Sequence, residues 1–225
     1  MMKAPEIFAL VALTALTLAC QGDEKIVEVP TPWPEEPPPV KGTLEFEPTS
    51  EEPLLQLSYE GGMIKDPDPT PFVRVYPNGR VLIHYPAYMK KAGDYELELS
   101  PEEVQDLLAS FADESLLVLE PEALQARTSE ALSVAAPLEI PDTHGVATVV
   151  QIRADSFTRE GEDEPALMAV DHRISATDLA ATAKALPQFR RLQDVARGVK
   201  GLEALADRAD IEPVNLDESN PGGGA

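Results

Sequence analysis

The stretch Phe72-Val73-Arg74-Val75-Tyr76-Pro77-Asn78-Gly79-Arg80-Val81-Leu82-Ile83-His84-Tyr85 decides the fold. Two runs rich in β-branched and aromatic residues flank a turn-forming tripeptide, which predicts an antiparallel hairpin. Two turns are open. A two-residue turn at Asn78-Gly79 would set Tyr76 opposite Val81. A three-residue loop would put Pro77 at the first corner of a type I turn and Gly79 in a left-handed bulge. The second suits the φ that proline already has, and it segregates the faces better. Val73, Val75, Val81 and Ile83 then share one side, while Arg74, Tyr76, Leu82 and His84 share the other with Arg80. A one-residue slip would mix Val81 and Ile83 with Arg74, so the cleaner separation is preferred. Arg74, Tyr76, Leu82 and His84 form a candidate contact surface; cover by a helix is the alternative use of the same side.

Beyond the hairpin, Tyr95, Leu97 and Leu99 alternate with Glu96 and Glu98 as a third strand. It runs into Ser100-Pro101-Glu102-Glu103, a capping box with proline at the first helical position. Val104, Leu107, Leu108 and Phe111 follow as one apolar stripe. Upstream, Leu55, Leu57 and Tyr59 alternate as a strand ended by Gly61-Gly62, and Asp66 to Pro71 is a proline-punctuated loop. Downstream, Leu116 to Leu119 is a short apolar run, Pro121 to Leu132 has helical composition, and Ser133 to Pro141 reads as a connector. Val146 to Phe157 and Ala166 to Asp171 form a second hairpin about an acidic turn. Ser175-Ala176-Thr177-Asp178 is expected to open a helix ending near Pro187, and Phe189, Leu192, Ala196, Val199 and Leu202 stripe a last helix to about Asp207. Gly198 and Gly201 weaken that helix by ~1 kcal/mol each relative to alanine. Strands bunched before helices predict one α+β domain over 43–214, a mostly antiparallel sheet of hairpins packed with helices.

The 225-residue chain carries 18 basic and 40 acidic residues, a formal charge of −22, and one cysteine. Lys3, the uncharged run Ile7 to Leu18 and Ala19-Cys20 have the order of a secretory signal: a cationic start, an apolar segment and a small residue before the cut. The run falls short of the ~20 apolar residues that span a bilayer. Leu16-Thr17-Leu18-Ala19-Cys20 resembles the lipobox of bacterial lipoproteins, with Thr17 where leucine is commonest. The resemblance implies a signal peptide over 1–19, a diacylglycerol-modified Cys20 and a place in the cell envelope. Gln21, rather than Asp, implies the periplasmic face of the outer membrane if the cell is Gram-negative. An ordinary secretory signal is the alternative.

A lipidated Cys20 would leave the domain without a thiol, so no disulfide, thiolate nucleophile or cysteine-bound zinc is expected in it. Residues 20–42, with Pro30, Pro32, Pro34 and Pro37-Pro38-Pro39 among acidic residues, predict an extended tether, and 215–225 a disordered tail. The tether holds Trp33, the only tryptophan. The acidity excludes nucleic acid as a partner and leaves the membrane to be held by the lipid. The order of parts also resembles an uncharacterised family of exported bacterial proteins. It is carried by Phe72 to Val75, Asn78-Gly79, Gly93, the capped helix, and Asp142 before the second hairpin. Members of that family often carry cysteines before the first strand, and this chain has none there. The resemblance implies an α+β fold and assigns no chemistry.

No nucleophile elbow, P-loop or cofactor motif is present. His84, His144 and His172 lack the i, i+4 spacing of a helical zinc site. The expected role is therefore a non-enzymatic, lipid-anchored module that binds or scaffolds another envelope component, without catalytic residue, metal or cofactor. The alternative is a hydrolase using carboxylates or a metal held by Asp/His side chains, which predicts a concave pocket lined by several of Asp142, His144, Asp171 and His172. Arg190, Arg191, Arg197 and Lys200 are a local basic patch, read as a solvated face pairing with carboxylates.

Overall fold

The computed structural model describes residues 36, 38–61, 68–120, 122–134 (backbone only at 131–134) and 145–214. The expected signal segment (1–19), Cys20, Trp33, most of the expected tether (20–42), the expected connector from 135, Asp142, His144 and the expected tail (215–225) lie outside the described residues. In chain order the elements begin with β1 (Gly42–Glu45), β2 (Leu55–Gly61), β3 (Val73–Val75), β4 (Arg80–Tyr85) and β5 (Gly93–Glu98). Helices α1 (Pro101–Ala109), α2 (Glu114–Leu117) and α3 (Ala123–Val134) follow. Then come β6 (Val146–Arg159), β7 (Pro165–Thr177), α4 (Leu179–Ala185), α5 (Arg190–Leu205) and β8 (Glu212–Pro213). The domain is α+β, and among the described residues all strands join one antiparallel sheet.

The hairpin adopts the three-residue loop. Val73 pairs Ile83, Arg74 pairs Leu82 and Val75 pairs Val81. The Tyr76 amide donates to the Arg80 carbonyl (2.8 Å), the Gly79 amide to the Tyr76 carbonyl (3.0 Å), and Gly79 sits at φ 87°. Val73, Val75, Val81 and Ile83 are fully buried, each contributing ~1.5–3 kcal/mol of apolar burial. The capping box also forms: Glu103 donates its amide to Ser100 Oγ (3.2 Å), and Ser100 returns its own to Glu103 Oε2 (2.8 Å). Val104 and Leu108 from α1, with Phe111 just beyond it, are buried. Phe111 meets α5 where Gly198 leaves room for its ring.

β6 is the spine of the sheet. One of its edges pairs with β7, and the other pairs with β2 along Val146–Ile152 and then with β1 along Ser156–Arg159. β3, β4, β5 and β8 extend the sheet from β2. Ala169 takes φ 52° between the pairs Ala154↔Val170 and Ser156↔Met168. Beyond that irregularity the fully buried position is Phe157, packed near Gly42. Hydrogen bonds tie one sheet face to the helices: Tyr59 to Glu203 and Tyr85 to the Ala206 carbonyl.

Two expectations need correction. Ser175, Ala176 and Thr177 do not open a helix: they pair with Val149, Thr148 and Ala147 at the end of β7. α4 starts at Leu179 behind Asp178, which is left-handed (φ 51°) and makes no side-chain cap bond. Pairing along β6 overrides the local cap signature. In α5 the buried position is Val195 rather than Ala196.

Candidate functional site

The outward side of the hairpin keeps Arg74 and Leu82 as direct cross-strand neighbours, with Gln56 of β2 on the other side of Arg74. Arg74, Tyr76, Leu82 and His84 are all half-buried. Arg74 differs from the other sheet arginines. Arg80 bonds Glu96 (2.9 Å), Arg159 bonds Glu114 (2.7 Å), Arg173 bonds Glu60 (2.8 Å) and Arg153 approaches Asp171 (3.5 Å). Arg74 Nε is buried and has no hydrogen-bond acceptor among the described residues. A buried donor left unmade costs ~1–3 kcal/mol, so this side chain is set up to gain an acceptor from elsewhere.

His84 is drawn out of that set. Its Nδ1 lies 2.7 Å from Asp94 Oδ1, across the β4–β5 register, and its Nε2 lies 2.8 Å from Asp68 Oδ2. Asp68 is itself fixed by accepting the Thr70 amide (2.9 Å). Burial opposes the imidazolium, but the hydrogen bonds to Asp94 and Asp68 prevail and raise the pKa above its ordinary 6.5. The Thr70 amide, then His84, holds Asp68 down at about 2. With both nitrogens occupied, the ring has no free position to take a proton from a substrate or to bind a metal.

Beside His84 opens a cleft of about 390 Å³ lined by residues of β2, β4, the segments flanking them and α5. Its aromatic wall includes the ring chain Tyr59 to Phe72 at 5.8 Å and Phe72 to Tyr85 at 5.6 Å, and Tyr95 continues that chain behind the wall, 5.6 Å from Tyr85; the last two contacts are edge to face. The Tyr59 hydroxyl donates to Glu203, and burial together with that carboxylate pushes its pKa up. Lys91 Nζ sits over the Tyr85 and Tyr95 rings, 5.0 and 4.7 Å from their centroids. No spacing in the sequence marks this cleft, because its walls come from segments far apart in the chain. The available signal was aromatic clustering at the ends of predicted strands.

The residues proposed for a hydrolase pocket are not brought together where the structure describes them. Asp171 and His172 are consecutive in β7 and therefore point to opposite sides. His172 is buried, bonded to the Leu116 backbone, and held below its ordinary pKa by burial. Asp171 is exposed and accepts from Gln151. Asp142 and His144 lie outside the described residues. Among the described residues, no group of three or more His, Cys, Asp or Glu could hold a metal ion, and no helix is long and apolar enough to cross a membrane.

Two members of the basic patch, Arg190 and Arg197, are paired, Arg190 more deeply than a solvated face would be. Arg191 is buried with its Nε on Ser115 Oγ (3.3 Å), and Lys200 is exposed. Arg190 Nη1 reaches Asp113 Oδ2 (2.6 Å) and Asp194 (3.3 Å), and Arg197 bonds Asp194 (2.8 Å). Asp113 is 1% exposed. Ser115 and Arg190 hold its carboxyl ionised against the burial that would raise its pKa. The same carboxylates receive the root of the N-terminal arm. The Val40 amide bonds Asp113, Lys41 Nζ bridges Asp113 and Asp194 at 3.7 Å each, and Glu36 accepts the Arg191 amide. Contacts with the domain therefore begin upstream of Gly42. Comparison with protein-family models, characterised proteins and solved structures finds no match to the chain.

Proposed function

We propose that the chain is a lipid-anchored cell-envelope protein, held to the membrane through Cys20, whose domain docks another envelope component without catalysing a reaction. The contact surface is the outward face of the β3–β4 hairpin around Arg74 and Leu82, with Tyr76 at its turn end. One observation carries the surface: in a chain with 40 acidic and 18 basic residues, Arg74 keeps a buried Nε without an acceptor among the described residues, while the other sheet arginines are ion-paired. Arginine with an adjoining apolar side chain is the usual chemistry of an interface anchor. A partner carboxylate or carbonyl would complete it. The anchor rests on Lys3, the apolar run and the lipobox-like Leu16 to Cys20.

A photo-crosslinking residue at Leu82, installed in cells of the source bacterium, tests the surface. One discrete adduct that disappears with Arg74→Glu is expected. No adduct, or one indifferent to that charge reversal, would sink the surface. Cys20→Ser should release the protein from the membrane fraction and abolish acyl labelling; unchanged fractionation would remove the anchor and the compartment with it.

A further inference from the structure

We infer that the cleft beside His84 is a binding site for a small organic cation, an ammonium group on a short apolar stem. The proposal is independent of the Arg74 surface and concerns a different ligand.

Three observations converge. Tyr59, Tyr88 and Met89 are 40%, 62% and 44% exposed, and they are three of the five exposed large apolar side chains among the described residues. All three line this one cleft, which concentrates apolar exposure in a concavity. The volume, about 390 Å³, falls at the small end of the range of roughly 300–1,000 Å³ for small-molecule sites.

The charges in the lining then select the ligand. Asp68, Glu203 and Asp207 line the cleft, and among the described residues no lysine or arginine does. The one titratable cation among the described lining residues, His84, already lies between two carboxylates. The described lining carries three carboxylates, and the Tyr59 and Tyr85 hydroxyls are spent on Glu203 and the Ala206 carbonyl. A sugar needs directed hydrogen bonds and an anion needs donors or positive charge, whereas an ammonium, quaternary or not, needs negative charge and aromatic faces. Outside the cleft, Lys91 sits over Tyr85, one of its wall rings, and over Tyr95 beside it, a cation–π contact of the kind inferred for the ligand.

Calorimetric titration of the full-length protein with choline tests this, alongside the uncharged isostere bearing tert-butyl in place of trimethylammonium, and glucose. Choline is expected to bind and the isostere to bind about 3- to 30-fold more weakly, the range a cation–π contact with one or more rings supplies. Tyr88→Ala should weaken choline by at least about threefold without unfolding the exposed site, Asp207→Asn should weaken it further, and Arg74→Glu should leave it unchanged. Equal affinity for choline and the isostere, binding of glucose but not choline, no binding at all, or indifference to both Tyr88→Ala and Asp207→Asn would each overturn the inference. Absence of any Leu82 adduct in the parent protein, with choline binding intact, would count against the docking surface alone.

Discussion

Replacing Gly198 and Gly201 by alanine should move stability in opposite directions, although both lie in α5 and look alike in sequence. On helix propensity alone each substitution gains about 1 kcal/mol. A methyl group at Gly201 would lie 3.5 Å from Leu107 Cδ2, an ordinary contact, so the gain stands there. A methyl at Gly198 would lie 2.3 Å from Phe111 Cζ and 2.7 and 2.8 Å from Cε1 and Cε2. Phe111 is fully buried and its ring is rigid, so either α1 and α5 separate or the ring leaves its seat. Overpacking of this kind costs about 1–3 kcal/mol, and the close ring contact argues for the upper part of that range. After the propensity gain, Gly198→Ala should be destabilising by about 1–2 kcal/mol, leaving the two variants about 2–3 kcal/mol apart. Urea melts of the full-length protein read the difference as a shift in midpoint at constant slope. Phe111→Leu in the Gly198→Ala background should recover part of the loss, as contacting residues are non-additive. If Gly198→Ala melts at or above the parent, the close approach of α5 to Phe111 is not what holds that glycine in place.

Two further outcomes follow from the charged clusters. Asp113→Ala should destabilise by about 3 kcal/mol or more, because Arg190 and the Ser115 amide lose a buried partner, while Lys41→Met, at a 41% exposed side chain, should cost less than about 1 kcal/mol. Similar urea midpoints for the two variants would refute that ranking. The two described histidines should titrate on opposite sides of 6.5 by ring NMR, His84 above it and His172 below. The His84 contribution is complete below 6.5 and is lost as pH climbs through its raised pKa, whereas that of Asp68 is present above 3.8 and lost as pH falls towards about 2. Asp94→Asn and Asp68→Asn should each lower the His84 midpoint, and a parent midpoint at or below 6.5 would contradict the clamp.

What the sequence disclosed was what depends on neighbours in the chain. Pro77-Asn78-Gly79 and the alternation around it determine the hairpin register, and Ser100 with Glu103 determines the start of α1, because turn and cap chemistry act over three or four residues. β1 escaped notice: four residues, Gly42–Glu45, carry too little pattern, and they become a strand only by pairing with β6. The end of β7 was misread for the converse reason, since Ser175 to Asp178 carries a cap signature that sheet pairing overrules. In the candidate surface the sequence placed Arg74 beside Leu82 correctly. It could not show that Asp68, from a loop, would claim His84, nor that Glu203 would meet Tyr59 across 144 positions. Arg190 and Arg197 were read as paired, but the depth of Asp113 beneath Arg190 depends on packing that no spacing encodes.

The central position of β6 also sets a timetable. Glu45 meets Ser156 only after 111 further residues have been synthesised, and Leu57 waits for Val150 in the same way. A nascent chain thus cannot finish its sheet until its last third emerges, and until then Leu44, Leu55 and Leu57 remain without their shelter. For most of its synthesis such a chain has no finished sheet to close over those leucines, and the same interval is when they can meet one another or a neighbouring chain instead of their partners.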